Sequence, residues 1–271
     1  MESCCASTAT WSLPAQRSEG DRVKIAIAGA GGRMGRTLLE AAAADGELEL
    51  VAAVDAPGSP AIGQPAGKLR IGSDLSALVQ ADVVLDFTRP EGTLALLEHA
   101  KAVVIGTTGF TEEDKDRIAQ AAKRIPIVQA ANFAVGVNTA YKLAETAARI
   151  LGDDYDVEIV EAHHRHKVDA PSGTALQLGE VIAGALNKKD FVFGRKGIIG
   201  ERQPKQIGFH SIRGGDIVGE HTVIFAGVGE RLEVTVRSQS RLTYANGALR
   251  AAKWLKGRPP ALYAMRDVLG L

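Results

Sequence analysis

The stretch VKIAIAGAGGRMG, Val23 to Gly35, decides the fold. Val23–Ala28 is a short apolar, β-branched run that stops at glycine, the pattern of a buried strand entering a tight turn. Beyond Gly35, Leu and Ala recur at helical spacing up to Ala44, and Leu48–Val54 (LELVAAV) predicts a second strand that closes on Asp55. Strand, glycine-rich turn, helix, strand and acid, in that order, suit a dinucleotide. The glycines let the backbone approach a pyrophosphate, the helix N-terminus holds it, and the acid accepts hydrogen bonds from the ribose. Asp55 stands 20 residues after Gly35. The turn departs from a strict GxGxxG because Met34 takes the third glycine position and Gly35 follows it. The flanking elements therefore carry the reading more than the glycines do.

Working outward, residues 56–72 are rich in Pro and Gly without periodicity and predict a loop. Strands are expected over residues 82–88, 102–105 and 125–129, and helices over 91–100 and 111–123. Alternating short strands and helices predict an α/β fold, a Rossmann-like doubly wound parallel sheet with its ligand beyond the carboxyl ends of the strands. The residues at those ends are the cofactor candidates: Gly29, Ala30, Gly31, Gly32, Arg33, Met34, Asp55, Thr88, Gly106, Thr107, Thr108, Ala130, Ala131, Asn132 and Phe133. Thr88, followed by Arg89 and Pro90, also fits a capped turn.

After a helix over residues 136–151 the pattern changes. EAHHRHKVDAPSGTA, Glu161 to Ala175, holds three of the chain's six histidines within four positions, followed at once by Lys167. Val157–Val160 reads as a strand and Ala175–Leu186 as a helix, so the cluster is expected at a strand exit facing a helix start, with Asp169 as a capping candidate. Free N–H groups at a helix N-terminus beside Lys167 and imidazoles suit a phosphate or a carboxylate. A solvated basic turn is the plainer alternative. A zinc site through His164 and His166 lacks a cysteine or a third ligand in register. Strands over residues 206–218, 222–226 and 231–238, joined through RGGD and GVGE, predict an α+β second domain with a mixed or antiparallel sheet, and a helix over 245–255 precedes a polar tail.

The domain boundaries expected are 1–20 as a disordered extension, 21–134 as the dinucleotide-binding domain joined by 242–271, and 135–241 as the substrate-binding and oligomerisation domain. The chain has 271 residues with 32 basic and 32 acidic side chains, so no polyanion surface and no nucleic-acid partner is expected. No apolar run reaches the roughly 20 residues of a membrane span. The two cysteines are the adjacent Cys4 and Cys5, which fits a reducing, cytoplasmic location.

A nicotinamide cofactor in the first domain and a proton-donating, anion-binding cluster in the second suggest hydride transfer to a small acidic molecule. Arg241, before the final helix, is the distant candidate for a substrate carboxylate, with Ser172, Gly173 and Thr174 beside Lys167. A non-catalytic NAD(P)-binding regulator and a metal-dependent hydrolase are the rival classes.

GAGGRMGR, DFTRPEGT, IGTTGF, AANFAVGVN, EAHHRHKVDAPSGTA and GDIVGEHT together resemble the dihydrodipicolinate reductase family, from about Arg22 to the C-terminus. The resemblance implies NAD(P)H-dependent reduction of a cyclic dicarboxylate to tetrahydrodipicolinate in diaminopimelate and lysine biosynthesis. It implies His163 as the catalytic acid, Lys167 as a second proton donor, and His164 with Gly173 and Thr174 as substrate contacts. It also implies a homotetramer formed through the second-domain sheets, and closure about hinges near residues 133–136 and 240–243. Many relatives carry an Arg after the acid that ends the second strand. Here Ala56 follows Asp55, which favours NADH over NADPH unless Arg33 offsets it by reaching the 2′-phosphate.

Overall fold

The computed structural model describes residues 22–187 and 190–271, so the expected N-terminal extension lies outside the described residues. The first half runs β1 (Val23–Ala28), α1 (Arg33–Ala44), β2 (Leu48–Val54), β3 (Pro65–Ala66), β4 (Leu69–Arg70), β5 (Val83–Asp86), α2 (Pro90–Leu96), β6 (Val103–Ile105), α3 (Glu112–Ala121) and β7 (Ile127–Gln129). The helix α4 (Val135–Leu151) leads to β8 (Asp156–His163), α5 (Gly173–Leu186), β9 (Asp190–Phe193), β10 (Gln206–Arg213), β11 (Gly219–Ala226) and β12 (Arg231–Ser238). The chain ends with α6 (Leu242–Leu255), β13 (Leu262–Tyr263) and α7 (Met265–Leu269).

The first sheet has the strand order β13-β7-β6-β5-β1-β2 and is parallel throughout. Alternate residues of β1 feed two apolar layers. Ile25 and Ile27 share one with residues of α1 and α6, while Ala26 and Ala28 share the other with residues of α2 and α3. A parallel sheet buried on both faces reads as a continuous apolar run, which is why β1 is recognisable in the sequence. At its end Gly29 adopts φ +76°, and a Cβ on Gly35 would lie 2.1 Å from the Gly29 carbonyl oxygen. Gly35, one place after the usual third glycine, thus provides the close helix–strand packing.

The second sheet has the order β12-β11-β8-β10-β9. It is mixed: β8, β9 and β10 run parallel, and β11 opposes both β8 and β12. Helices α4 and α5 cover one face through Ala144, Ala148, Leu178 and Ile182, clustered with Val157, Ile159, Val223 and Phe225. Elsewhere on β8, Glu158 accepts hydrogen bonds from both terminal nitrogens of Arg195 (2.8 and 2.9 Å) and from Arg202 Nε (2.9 Å), and pairs with His210 Nε2 (2.8 Å). Burial raises its carboxyl, but these partners outweigh that and hold it down at about 2. The pairing ties the loop after β9 onto the sheet.

Several expectations need correction. The stretch 56–72 contains the small β3–β4 hairpin, and Gly72 bridges back to Val54. RGGD does not join neighbouring strands, because β8 lies between β10 and β11. The strand expected over residues 206–218 ends at Arg213. β8 continues past Val160 to His163, and the polar tail holds β13 and α7. β13 pairs with β7 through only Leu262 and Tyr263, so its strand character comes from a tertiary partner rather than from local pattern. No helix among the described residues is long and apolar enough to cross a membrane.

Candidate active site in the cleft between the sheets

The loops beyond β6 and β7 and the exit of β8 open on one cleft of about 2010 Å³. From the first half, Arg33, Met34, Gly106 and Thr108 line it together with Ala130, Ala131, Asn132 and Phe133. From the second half come His163, His164, Lys167, Ser172, Gly173, Thr174 and Arg241. The two sets of candidates, far apart in the chain, therefore face a common space.

On the nucleotide side, α1 begins at Gly32 with no side chain capping it and no acid in its first turn. Its leading N–H groups are thus available to an anion, so this turn fits a pyrophosphate. Asp55 Oδ2 accepts the Gly31 N–H (2.7 Å) and Oδ1 accepts the Ala56 N–H (2.8 Å), which fixes the carboxylate at the end of β2. Gly29, Ala30, Gly31, Gly32 and Asp55 shape this turn and lie outside the lining of the main cleft.

Thr88 and Thr107 turn their hydroxyls away from the cleft. Both hydroxyls donate to Asp86, Thr88 Oγ1 to Oδ1 (2.6 Å) and Thr107 Oγ1 to Oδ2 (3.1 Å), and Thr93 Oγ1 donates to Oδ2 (2.5 Å). Thr107 Oγ1 also accepts the Thr88 N–H (2.9 Å). Asp86 is fully buried, and burial raises its carboxyl although the threonine hydrogen bonds oppose that. The two threonines therefore brace the ends of β5 and β6 instead of presenting hydroxyls to the cleft. Neither lines it.

On the other side, β8 delivers Glu161 and His163 to one face, two residues apart. His163 Nδ1 lies 2.6 Å from Glu161 Oε2, and Arg213 grips Glu161 with both terminal nitrogens (2.9 and 2.7 Å). Arg213 stands directly opposite His163 in the parallel β8–β10 register. Burial acts to raise the Glu161 carboxyl, but Arg213, Ser211 and His163 bring it down to about 2, so it is ionised at neutral pH. His163 is held below the ordinary histidine value by burial, against the pull of Glu161.

The helix start differs from the expected Asp169 cap. Ser172 is the N-cap of α5, its Oγ accepting the Ala175 N–H (3.2 Å), while Asp169 pairs with Lys167 Nζ (2.8 Å). Ser172 Oγ also lies 3.0 Å from His221 Nε2. Burial, then the neighbouring His163, pushes His221 down to about 4, so its ring is neutral, and which of the pair donates depends on the tautomer. The Ser172 hydroxyl is thus engaged on both sides, by the Ala175 N–H and by the His221 ring. Gly173 and Thr174 open the first turn of this helix, where backbone N–H groups have no acceptor within the helix. Thr174 Oγ1 accepts from Asn132 Nδ2 (3.2 Å), which links the two halves across the cleft. Tyr141 hydrogen-bonds to the same threonine, and burial raises its phenol to about 12. His164 Nδ1 is buried without a hydrogen-bond partner.

Sequence reasoning passes over Asp86, Tyr141, Arg213, His221 and Tyr244. Only the Glu161-x-His163 spacing carries a local signal, since residues two apart on a strand share a face. Arg213 and His221 reach the site through sheet register, which has no local signature.

The geometry pairs a nucleotide turn with an imidazole and ammonium site for an acid. The N-terminal domain model of dihydrodipicolinate reductase matches residues 23–133, and the C-terminal model matches residues 136–269. A 4-hydroxy-tetrahydrodipicolinate reductase from Thiobacillus denitrificans is 57% identical over 264 residues, spanning 92% of this chain and 99% of its own. One from Burkholderia ambifaria is 55% identical, spanning 92% of this chain and 100% of its own. A dipicolinate-bound dihydrodipicolinate reductase from a Paenisporosarcina species superposes with TM-score 0.77 at 26% identity, covering 91% of this chain and 99% of that one. With both halves matched in order and the cleft between them built from the matched residues, the chain belongs to the dihydrodipicolinate reductase family.

Proposed function

We propose that the chain uses a nicotinamide cofactor to reduce 4-hydroxy-tetrahydrodipicolinate to tetrahydrodipicolinate, in the diaminopimelate and lysine route. The carrying observation is the constellation at the β8 exit. An imidazole at His163, the buried and unpartnered His164 Nδ1, the Lys167 ammonium and the free N–H groups of α5 all border the cleft that Gly106 and Ala130–Phe133 enter from the other side. The cofactor supplies the hydride. The chain must hold two carboxylates and deliver a proton.

In this reading Gly173, Thr174, His164 and Arg241 hold the carboxylates, and His163 gives the proton from Nε2. Lys167, the second donor, leaves Asp169 as the substrate's charge enters. Thr174 couples carboxylate binding to Asn132 and so to the cofactor side. The domains then close about residues 133–136 and 240–243. The proposed assembly is a homotetramer through the sheet containing β8, which leaves this cleft open. Dipicolinate, which the Paenisporosarcina relative binds, is the probe. Calorimetric titration should give a binding isotherm in the presence of NADH, weakened at least roughly tenfold in His164→Ala, a loss of about 1.4 kcal/mol. Equal affinity in the variant would remove His164 from the carboxylate site.

Cofactor choice follows from β2. Asp55 is fixed at its end, and Ala56 offers no charge to a 2′-phosphate. Carboxylate and phosphate repel, so NADH is the preferred cofactor and NADPH a usable one, with Arg33 as the group to compensate. The ratio of kcat/KM should favour NADH, and Ala56→Arg should move it towards NADPH. An NADPH value equal to or above that for NADH in the wild type contradicts this assignment.

A further inference from the structure

We propose that Glu161, clamped by Arg213, is the positioning residue of His163, holding its proton on Nδ1 and reserving Nε2 for the substrate. The inference rests on the reading above, in which His163 is the acid, and adds how the fold makes it one.

Glu161 is only 1% exposed, and its carboxylate is surrounded: His163 Nδ1 at 2.6 Å, the two terminal nitrogens of Arg213 at 2.9 and 2.7 Å, and the Ser172 N–H at 3.3 Å. An ionised carboxylate only accepts hydrogen bonds. At 2.6 Å, His163 must therefore donate from Nδ1 in both its neutral and its charged form. In the neutral form Nε2 is bare. In the charged form the added proton sits on Nε2, and only that proton is transferable.

Nε2 lies by the start of β11. A Cβ built on Gly219 would be 3.1 Å from His163 Nε2 and 3.8 Å from the Tyr244 hydroxyl. A side chain at 219 would crowd the atom that must meet the substrate. The titratable and charged groups around His163 are Glu161 on its own strand, Arg213 on β10, His221 on β11, Lys167 in the following loop, and Tyr244 on α6. The His221 ring meets it edge-on at 5.2 Å and is kept neutral by burial. Glu161 is thus the anion that orients the imidazole.

Arg213 sets the strength of that hold. A bare buried carboxylate beside His163 would bind the imidazolium tightly and make it a poor acid. Paired with a guanidinium in a two-nitrogen grip, Glu161 keeps its geometry while much of its charge is offset. Burial can then hold His163 below the ordinary value even with a carboxylate in contact.

The test reads the proton directly. In histidine-labelled protein without substrate, nitrogen NMR of the neutral His163 ring should show the proton on Nδ1. Glu161→Gln should shift population to the Nε2–H form, lower kcat by roughly 10- to 100-fold and leave the NADH dissociation constant unchanged. The acid-dependent limb of kcat/KM should move to lower pH in Glu161→Gln and to higher pH in Arg213→Gln. A merely structural role would not move it in opposite directions. Because Glu161→Gln strands the Arg213 charge, the double variant Glu161→Gln/Arg213→Gln is measured beside it, and should show the same loss of the Nδ1–H form. A wild-type ring protonated on Nε2, or limbs that do not move, overturns the proposal. The NMR reading needs no turnover, so an Nδ1–H ring in a protein that fails to reduce the substrate would sink the assigned reaction and leave Glu161 in its place.

Discussion

Replacing His163 by Ala lowers kcat by about 100- to 10,000-fold, the usual contribution of a positioned general acid, while NADH binds as before. The separation follows from the geometry. His163 ends β8 and its ring contacts are Glu161 and His221, both in the second sheet, whereas the nucleotide turn is built from β1, α1 and β2. Wild-type kcat/KM reports the free enzyme, and the acid form of His163 is lost as pH rises. Burial holds this imidazole below the ordinary histidine value, so the falling limb lies below that of an ordinary histidine. Bound carboxylates favour the imidazolium, so the corresponding limb of kcat lies higher. Both limbs should be absent from the residual activity of His163→Ala. A loss of NADH affinity alongside activity would place the residue in cofactor binding instead.

The largest expected effect on stability is at Asp86. Its carboxylate is fully buried and is reached by three threonine hydroxyls and the Thr88 N–H, at 2.5 to 3.1 Å. Ala at this position leaves a cavity where β5 ends and takes the acceptor from the Thr107 hydroxyl, while the Thr88 and Thr93 hydroxyls keep only their longer bonds to the Arg89 carbonyl (3.2 and 3.3 Å). Each unsatisfied buried group costs about 1–3 kcal/mol, partly recovered where hydroxyls pair with one another, so the net loss should be about 3 kcal/mol. In a chain of this size that lowers Tm by roughly 6–12 °C. Asp86→Asn should cost less, since the amide keeps an acceptor and burial already disfavours the charge. NADH affinity should fall in the Ala variant too, because Thr107 lies between Gly106 and Thr108, which line the cleft. A denaturation midpoint unchanged from the wild type would mean the threonines do not depend on Asp86.

What the sequence discloses depends on how local each feature is. β1, β2 and β12 occupy the residues expected, because strand length and apolar run are set within the strand itself. The cluster at residues 163–167 is visible because composition alone marks it, and a helix follows close to where the pattern puts one. The placement of Thr88 and Thr107 is not legible, because a hydroxyl at a strand end looks the same whether it faces a ligand or a buried carboxylate. Asp86 stands in the same motif as Thr88, yet nothing local says that it is buried. Ser172 rather than Asp169 is the cap because the helix starts at Gly173, three residues beyond the place Asp169 could cap. Arg213 and His221 enter the site through pairing of β10 and β11 with β8, a register fixed only when the sheet forms. The first-sheet pattern is repeated and local; the second sheet, with its parallel and antiparallel pairs, is neither.

The most direct measurement of the central claim is steady-state NADH oxidation by the wild-type protein with 4-hydroxy-tetrahydrodipicolinate. Substrate-dependent oxidation is expected, reduced at least about 100-fold in His163→Ala. NADH that binds to the wild type but is not oxidised when the substrate is present would contradict it.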